Sequence, residues 1–175
     1  MIQLITASDS IGLDDDLKQI YIHSFPPDER REWHELKELL HHPNFSLNKM
    51  LYGGELIGLI SLWNFSEFVF IEHFALREPM RGKGIGSQVL KLVIEETSTK
   101  VVVEVEEPTN EMARRRIAFY ERLGFLVCEG IYYQPSYTPE KSQVRMLLLS
   151  FPERILTSEL DEIKTQLYRE VYKYL

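Results

Sequence analysis

Three glycines within five residues form the centre of the run Arg81-Gly82-Lys83-Gly84-Ile85-Gly86-Ser87. Without a Cβ at those positions, the backbone can come within hydrogen-bonding distance of a ligand. An apolar stretch from Glu67 to Arg77 precedes the run, and Ile85, Val89, Leu92 and Val93 follow it on one helical face, so the run joins a strand to the start of a helix. The first turn of that helix carries unpaired N–H groups and about half a positive charge, and both favour a pyrophosphate. A second chemical signal is a carboxylate inside each of two apolar strands. Glu104 lies within Val101-Val102-Val103-Glu104-Val105-Glu106, and Glu72 interrupts aromatic and β-branched neighbours in the Glu67 strand. A carboxylate so placed is costly unless it is paired or takes part in chemistry. His73 has a suitable unperturbed pKa for proton transfer, but strand alternation turns it to the face opposite Glu72.

Spacing narrows the ligand. A nucleotide P-loop needs Gly-x-x-x-x-Gly-Lys followed by Ser or Thr, whereas here the lysine sits inside the glycine run. A dinucleotide fingerprint needs Gly-x-Gly-x-x-Gly opening a βαβ unit, but the position that should hold its last glycine is Ser87 and the preceding stretch is rich in hairpins. Arg-x-x-Gly-x-Gly from Arg81 to Gly86 resembles the pyrophosphate-binding signature of the GNAT superfamily of acetyl-CoA-dependent N-acyltransferases. A second signature agrees: Asn110 after the Val101 strand, then a helix that ends Phe119-Tyr120-Glu121-Arg122-Leu123-Gly124-Phe125. Gly124 suits the left-handed residue that closes a helix. The resemblance extends over roughly Ile2 to Ser150.

The resemblance implies an enzyme that transfers acetyl from acetyl-CoA to a primary amine by direct attack through a tetrahedral intermediate. A protonated amine cannot attack until a base or a water chain removes a proton. Tyr120 stands where the family places the acid that protonates the departing thiolate. For the base the family uses the fourth strand in some members and the fifth in others, so Glu104 and Glu72 rank level, with a water relay as the third possibility. The family's fourth-strand position falls nearer Phe70 than Glu72. The cofactor contacts implied are the backbone of Phe74, Ala75 and Leu76 along the pantetheine arm, the loop residues Arg81, Gly82, Lys83, Gly84, Ile85, Gly86 and Ser87 at the phosphates, and Asn110 toward the arm. Arg114-Arg115-Arg116 point in different directions along a helix and read mostly as surface. The acceptor would be walled by Ser24 to Trp33 and by Tyr132 to Tyr137, which suits an amine-bearing small molecule or a peptide. A non-catalytic acyl-CoA-binding or sensing domain is the alternative, although it would need neither Tyr120 nor the strand carboxylates.

These residues must be positioned by a βααβββαβαββ order: a strand over 1–7, helices over 13–24 and 28–42, a hairpin of 47–52 with 55–63 through Gly53-Gly54, the Glu67 strand, the glycine-loop helix to about residue 98, the Val101 strand, the Asn110 helix, and strands over 126–133 and 143–150. The fold class that follows through the resemblance is α/β of the α+β kind: a mixed, mostly antiparallel sheet with helices on both faces. Residues 1–150 read as one N-acetyltransferase domain, since no Pro/Gly/Ser-rich linker divides the chain. Residues 151–175 add a helix whose apolar stripe of Leu160, Ile163, Leu167, Val171 and Tyr174 must be covered by its own domain or by a homodimer partner. Ser158 and Asp161 are its expected capping pair.

Composition excludes several classes. The 175 residues carry a net charge of −7, which disfavours general nucleic-acid binding and mildly favours cationic acceptors. The single Cys128 allows neither a disulfide framework nor a cysteine-based metal site, and the histidines lack metal-ligand spacing, so no metal is expected. With no basic-then-apolar leader and no long apolar run, the expectation is a cytoplasmic protein without a membrane segment.

Overall fold

Antiparallel pairing begins at the first strand. The structure, a computed structural model, describes residues 1–8 and 13–174. They fall into two compact units, residues 1–99 and residues 100–175. In the first unit β1 (Ile2–Thr6) leads to α1 (Asp15–Ser24), whose cap is the Asp14 carboxylate accepting from the Leu17 N–H at 2.8 Å. A short turn at Pro27–Glu29 and α2 (Trp33–Leu39) precede β2 (Phe45–Tyr52), β3 (Glu55–Asn64) and β4 (Phe68–Leu76). These strands pair antiparallel in the order β1-β2-β3-β4, and Gly53-Gly54 makes the β2–β3 turn as expected. The unit closes with α3 (Ile85–Glu96), which buries Ile85, Val89, Leu90 and Val93; Leu90 takes the place expected for Leu92, which is only half-buried.

In the second unit β5 (Lys100–Glu106) and α4 (Glu111–Arg122) are followed by β6 (Leu126–Val127), β7 (Tyr132–Gln134), β8 (Val144–Phe151) and α5 (Thr157–Gln166). β8 pairs antiparallel with β5, β6 and β7. Gly124, at φ 91°, closes α4. The expected mixed α/β fold of mostly antiparallel strands, with an added C-terminal helix, is therefore present. Among the described residues no helix is long and apolar enough to cross a membrane.

Four local expectations are corrected. The helix expected over 28–42 forms only as α2, because Arg31 is held by tertiary contacts: its backbone N–H donates to the Tyr21 hydroxyl at 2.8 Å and its side chain is buried against β4. Tertiary demand overrides helix propensity there. The strand expected over 126–133 splits into β6 and β7 at Gly130, where a Cβ would stand 2.5 Å from Leu160 Cδ2, so the chain yields to the packing of α5. The cap of α5 is not the Ser158/Asp161 pair: the Leu156 N–H donates to Glu159 Oε2 at 2.7 Å. Of the predicted C-terminal stripe, Leu160, Ile163, Leu167 and Val171 are buried, but Tyr174 is 59% exposed because the helix widens into a π-type turn at Leu167–Val171.

The end of β4 depends on a close approach. Gly58 of β3 faces Leu76, and a Cβ at Gly58 would lie 2.2 Å from the Ala75 carbonyl oxygen and 2.4 Å from Met50 Cε. The first clash is with backbone and no rotamer relieves it. Gly58→Ala is expected to lower stability by about 1–3 kcal/mol, read as a reduced denaturant midpoint with the unfolding slope unchanged.

Candidate functional site

The glycine run forms an open loop between β4 and α3. A tight turn at Glu78–Met80 brings the chain round, and Arg81 Nε donates to the Leu76 carbonyl at 2.9 Å, tying the loop to the end of β4. Gly82 and Gly84 have φ of 73° and 76°, a left-handed conformation that side chains rarely adopt. Gly84 is the cap of α3. It offers no side chain to the first-turn N–H groups, and no acidic residue stands in that turn. Arg81, Gly82, Lys83 and Gly84 are exposed, whereas Ile85 and Gly86 are buried and Ser87 is half-buried. A helix start with uncapped N–H groups, a positive dipole end and two cations nearby suits an anionic group. Helix α4 differs, since Asn110 Oδ1 accepts from the Ala113 N–H at 2.9 Å and so caps it. The expected reach of Asn110 toward a ligand is thereby limited to its amino group.

Glu72 is an enclosed carboxylate. Opposite β3, His73 pairs with Ser61 while Ile71 pairs with Leu62, so Glu72 is the extra residue of a β-bulge. The bulge overturns the alternation expected for this pair: His73 Nδ1 lies 3.9 Å from Glu72 Oε2 instead of on the opposite face. The Glu72 side chain is 0% exposed; Oε1 accepts from Arg31 Nε at 2.9 Å and Oε2 from Trp63 Nε1 at 2.7 Å. The Arg31 guanidinium also lies over the Trp63 ring. His73 Nε2 is 3.2 Å from the Glu29 carbonyl and 3.4 Å from the Tyr21 hydroxyl, and Nδ1 is 3.3 Å from Ser61 Oγ. Burial drives the His73 pKa down to about 4; Arg31 adds to the fall and Glu72 opposes it. The imidazole is therefore neutral at neutral pH. Phe74, Ala75 and Leu76 continue β4 and pair with Ile60, Leu59 and Gly58.

Glu104 is held differently. It projects from β5 between the buried Val103 and Val105, half-buried itself, and two phenols donate to it: Tyr132 to Oε2 at 2.7 Å and Tyr172 to Oε1. Burial raises the Tyr132 pKa well above its ordinary value, and the Glu104 charge raises it further, so this phenol stays protonated as a donor. Tyr132 falls in the segment expected to wall the acceptor. Tyr172 was not foreseen, because the π-type turn that delivers it leaves no mark in the apolar spacing. Tyr120 is 4% exposed, edge-on to Phe119 and Phe125. Its pKa is raised by burial, against Arg116 and with Glu106. Among the described residues no group bonds its hydroxyl, and no sealed side-chain polar atom lacks a partner, so this hydroxyl borders accessible space. Arg114, Arg115 and Arg116 diverge as expected, to the Pro108 carbonyl, Glu111 and Glu106.

The model of the acetyltransferase (GNAT) family matches residues 12–125. A solved structure described as a GNAT-family acetyltransferase from Bacteroides thetaiotaomicron is 35% identical, covers 98% of this chain and 98% of that one, and superposes with a TM-score of 0.87. A GNAT family acetyltransferase from Elizabethkingia anophelis, solved with acetyl-CoA bound, is 19% identical with a TM-score of 0.62 over 87% of this chain and 98% of that one. Naa50 from Arabidopsis thaliana, in complex with the bisubstrate analogue CoA-Ac-MVNAL, is 20% identical with a TM-score of 0.61 over 87% and 99%. Among curated protein sequences there is no match.

The enclosed cluster on β4 makes stability depend on acid. In the unfolded chain His73 takes a proton near its ordinary 6.5, but in the folded chain only near 4. The unfolded state thus binds more protons in that window, and stability falls as pH drops through it, by about 3 kcal/mol for this group. His73→Gln should lose less stability than the wild type between pH 7 and pH 4, seen as a smaller drop in Tm. Glu72→Gln leaves the Arg31 guanidinium buried without its carboxylate, and is expected to cost about 3–5 kcal/mol at neutral pH in chemical unfolding.

Proposed function

Given that the chain belongs to the GNAT acetyltransferase family, we propose that it moves the acetyl group of acetyl-CoA onto a primary amine, with Glu104 as base and Tyr120 as acid. The observation that carries this reading is the start of α3: two left-handed glycines, no side-chain cap, no acid in the first turn, and Arg81 and Lys83 alongside. That donor set fits a pyrophosphate. The N–H groups of Ile85, Gly86 and Ser87 bind its oxygens, the backbone of Phe74, Ala75 and Leu76 pairs with the amides of the pantetheine arm as an added strand would, and the Asn110 amino group meets the same arm. Acetyl-CoA supplies the thioester whose acyl group is transferred.

The residues of the second unit handle protons. Glu104 takes one from the ammonium, whose unperturbed pKa is about 10, and frees the nitrogen lone pair. As the amine nitrogen bonds to the carbonyl carbon a tetrahedral intermediate forms; its collapse breaks the carbon–sulfur bond, the electron pair leaves with sulfur, and the second nitrogen proton, like the one taken by Glu104, passes to solvent. Tyr120 gives its proton to that thiolate and recovers one through solvent. Burial raises its pKa, so the phenol carries its proton at neutral pH. Glu72 is given a supporting role, since its oxygens are already taken by Arg31 and Trp63 in an enclosed site. The acceptor is a small amine or a peptide N-terminus; relatives in the same fold include a spermidine N-acetyltransferase from Vibrio cholerae as well as the peptide-analogue complex above. We further propose that residues 1–150 act as one catalytic domain, that residues 151–175 complete it, that no metal takes part, and that the enzyme works in the cytoplasm.

Two variants test the reading. Gly84→Val adds a Cβ that meets no other atom within 4 Å, so the fold should persist, but it puts a β-branched residue at a left-handed φ in the cradle. Calorimetric titration should show acetyl-CoA binding lost, and retained affinity in the folded variant would refute the cradle. Tyr120→Phe should lower turnover by roughly 10²–10⁴ with acetyl-CoA affinity unchanged; full turnover would exclude the phenol as acid.

A further inference from the structure

We infer that the C-terminal extension is part of the proton-transfer apparatus: Tyr172 is a positioning residue that, with Tyr132, orients the Glu104 carboxylate toward the acceptor amine. The inference rests on the assignment of Glu104 as base. One phenol donates to each carboxylate oxygen, and both rings are buried, Tyr132 at 2% and Tyr172 at 5% exposure. With both oxygens bonded, the carboxylate cannot rotate about its terminal torsion, which is otherwise soft. Its enclosure differs from that of Glu72. There a guanidinium and an indole seal the group completely, whereas Glu104 is only half-buried and its two phenol partners are neutral. A carboxylate steadied by these phenols and partly exposed can receive a proton.

The extension is built to deliver this hydroxyl. Beyond α5 the Tyr172 N–H reaches the Leu167 carbonyl at 3.1 Å, five residues back, where an α-helix would use Tyr168. The inserted residue rotates everything after it by about 100° relative to a regular helix, and such π-type turns gather at functional sites. Leu167 and Val171, both 0% exposed, anchor the turn, and the Tyr168 hydroxyl donates to the Tyr133 carbonyl at 2.7 Å, fixing the turn against β7. At the other end of the extension Glu159 pairs with Lys100 at the start of β5. The same segment thus holds β5 at Lys100 and at Glu104. The Tyr172 ring packs 5.2 Å from Tyr137, so loss of the hydroxyl alone leaves the ring supported.

Tyr172→Phe removes one oxygen and keeps that packing. With a simple primary amine as acceptor, kcat is expected to fall roughly tenfold to a hundredfold, the cost of a misplaced reacting group, with Tm and calorimetric acetyl-CoA affinity as in the wild type and with a displaced pH–rate profile. In the Glu104→Gln background the same substitution should cost nothing further, because the group it positions is gone. Tyr132→Phe provides a second variant and should behave alike. If Glu104→Gln slows turnover while folded Tyr172→Phe and Tyr132→Phe keep wild-type kcat and pH profile, the positioning role is overturned and the base assignment stands. If Glu104→Gln turns over at the wild-type rate, the base assignment fails and the inference with it.

Discussion

A carboxylate set into a strand of β-branched and aromatic residues loses hydration that it must recover from its neighbours. The chain faces this demand twice and meets it in two ways. At Glu72 the partner is a cation: Arg31 and the Trp63 indole take both oxygens, and the site closes over them. At Glu104 the partners are phenols, and the carboxylate remains half-open. Much of the local architecture around each strand follows from which partner was recruited.

To supply Arg31, the chain after Pro27–Glu29 must stay extended long enough to carry a guanidinium down to β4, so α2 starts only at Trp33. The backbone N–H of Arg31 is satisfied by Tyr21, whose hydroxyl also meets the buried His73. The segment between α1 and α2 is therefore fixed by a polar network and not by its own helical tendency. The bulge at Glu72 belongs to the same arrangement, since the extra residue brings carboxylate and imidazole to one side of the strand. At Glu104 the supplier is the C-terminal extension, and its helix departs from α geometry just where Tyr172 must turn inward.

The geometry of the glycine run was legible in the sequence because the backbone sets it. Left-handed glycines, a helix start without a cap and the closing Gly124 are local features, and residue type alone announces them. The strands, the Gly53-Gly54 hairpin and the buried stripe of the extension were legible for a similar reason, since period and turn residues act over a few positions. The partners of Glu72 and Glu104 were not legible. Arg31 is 41 residues from Glu72 and Tyr172 is 68 from Glu104, and neither pairing leaves a periodic trace. Three of the failed expectations come from tertiary demands: α2 was shortened by Arg31, β6 and β7 were parted at Gly130 by the approach of Leu160, and the face of Glu72 was reset by a bulge.

Residue type is also a weak guide to which group moves a proton. His73 has the side chain best matched to neutral pH, but it sits at 1% exposure, where burial holds it neutral and its ring nitrogens lie against Tyr21, Glu29 and Ser61. Glu72 carries charge but has no open side from which to receive a substrate proton. Proton transfer to a substrate needs basicity and a path of one hydrogen bond or one water. Of the three candidate groups on these strands, Glu104 alone combines fixed oxygens with partial exposure, and it owes both to hydroxyls supplied from β7 and from the end of the chain. In the proposed mechanism, therefore, the environment that the later residues build around Glu104 selects it as the base.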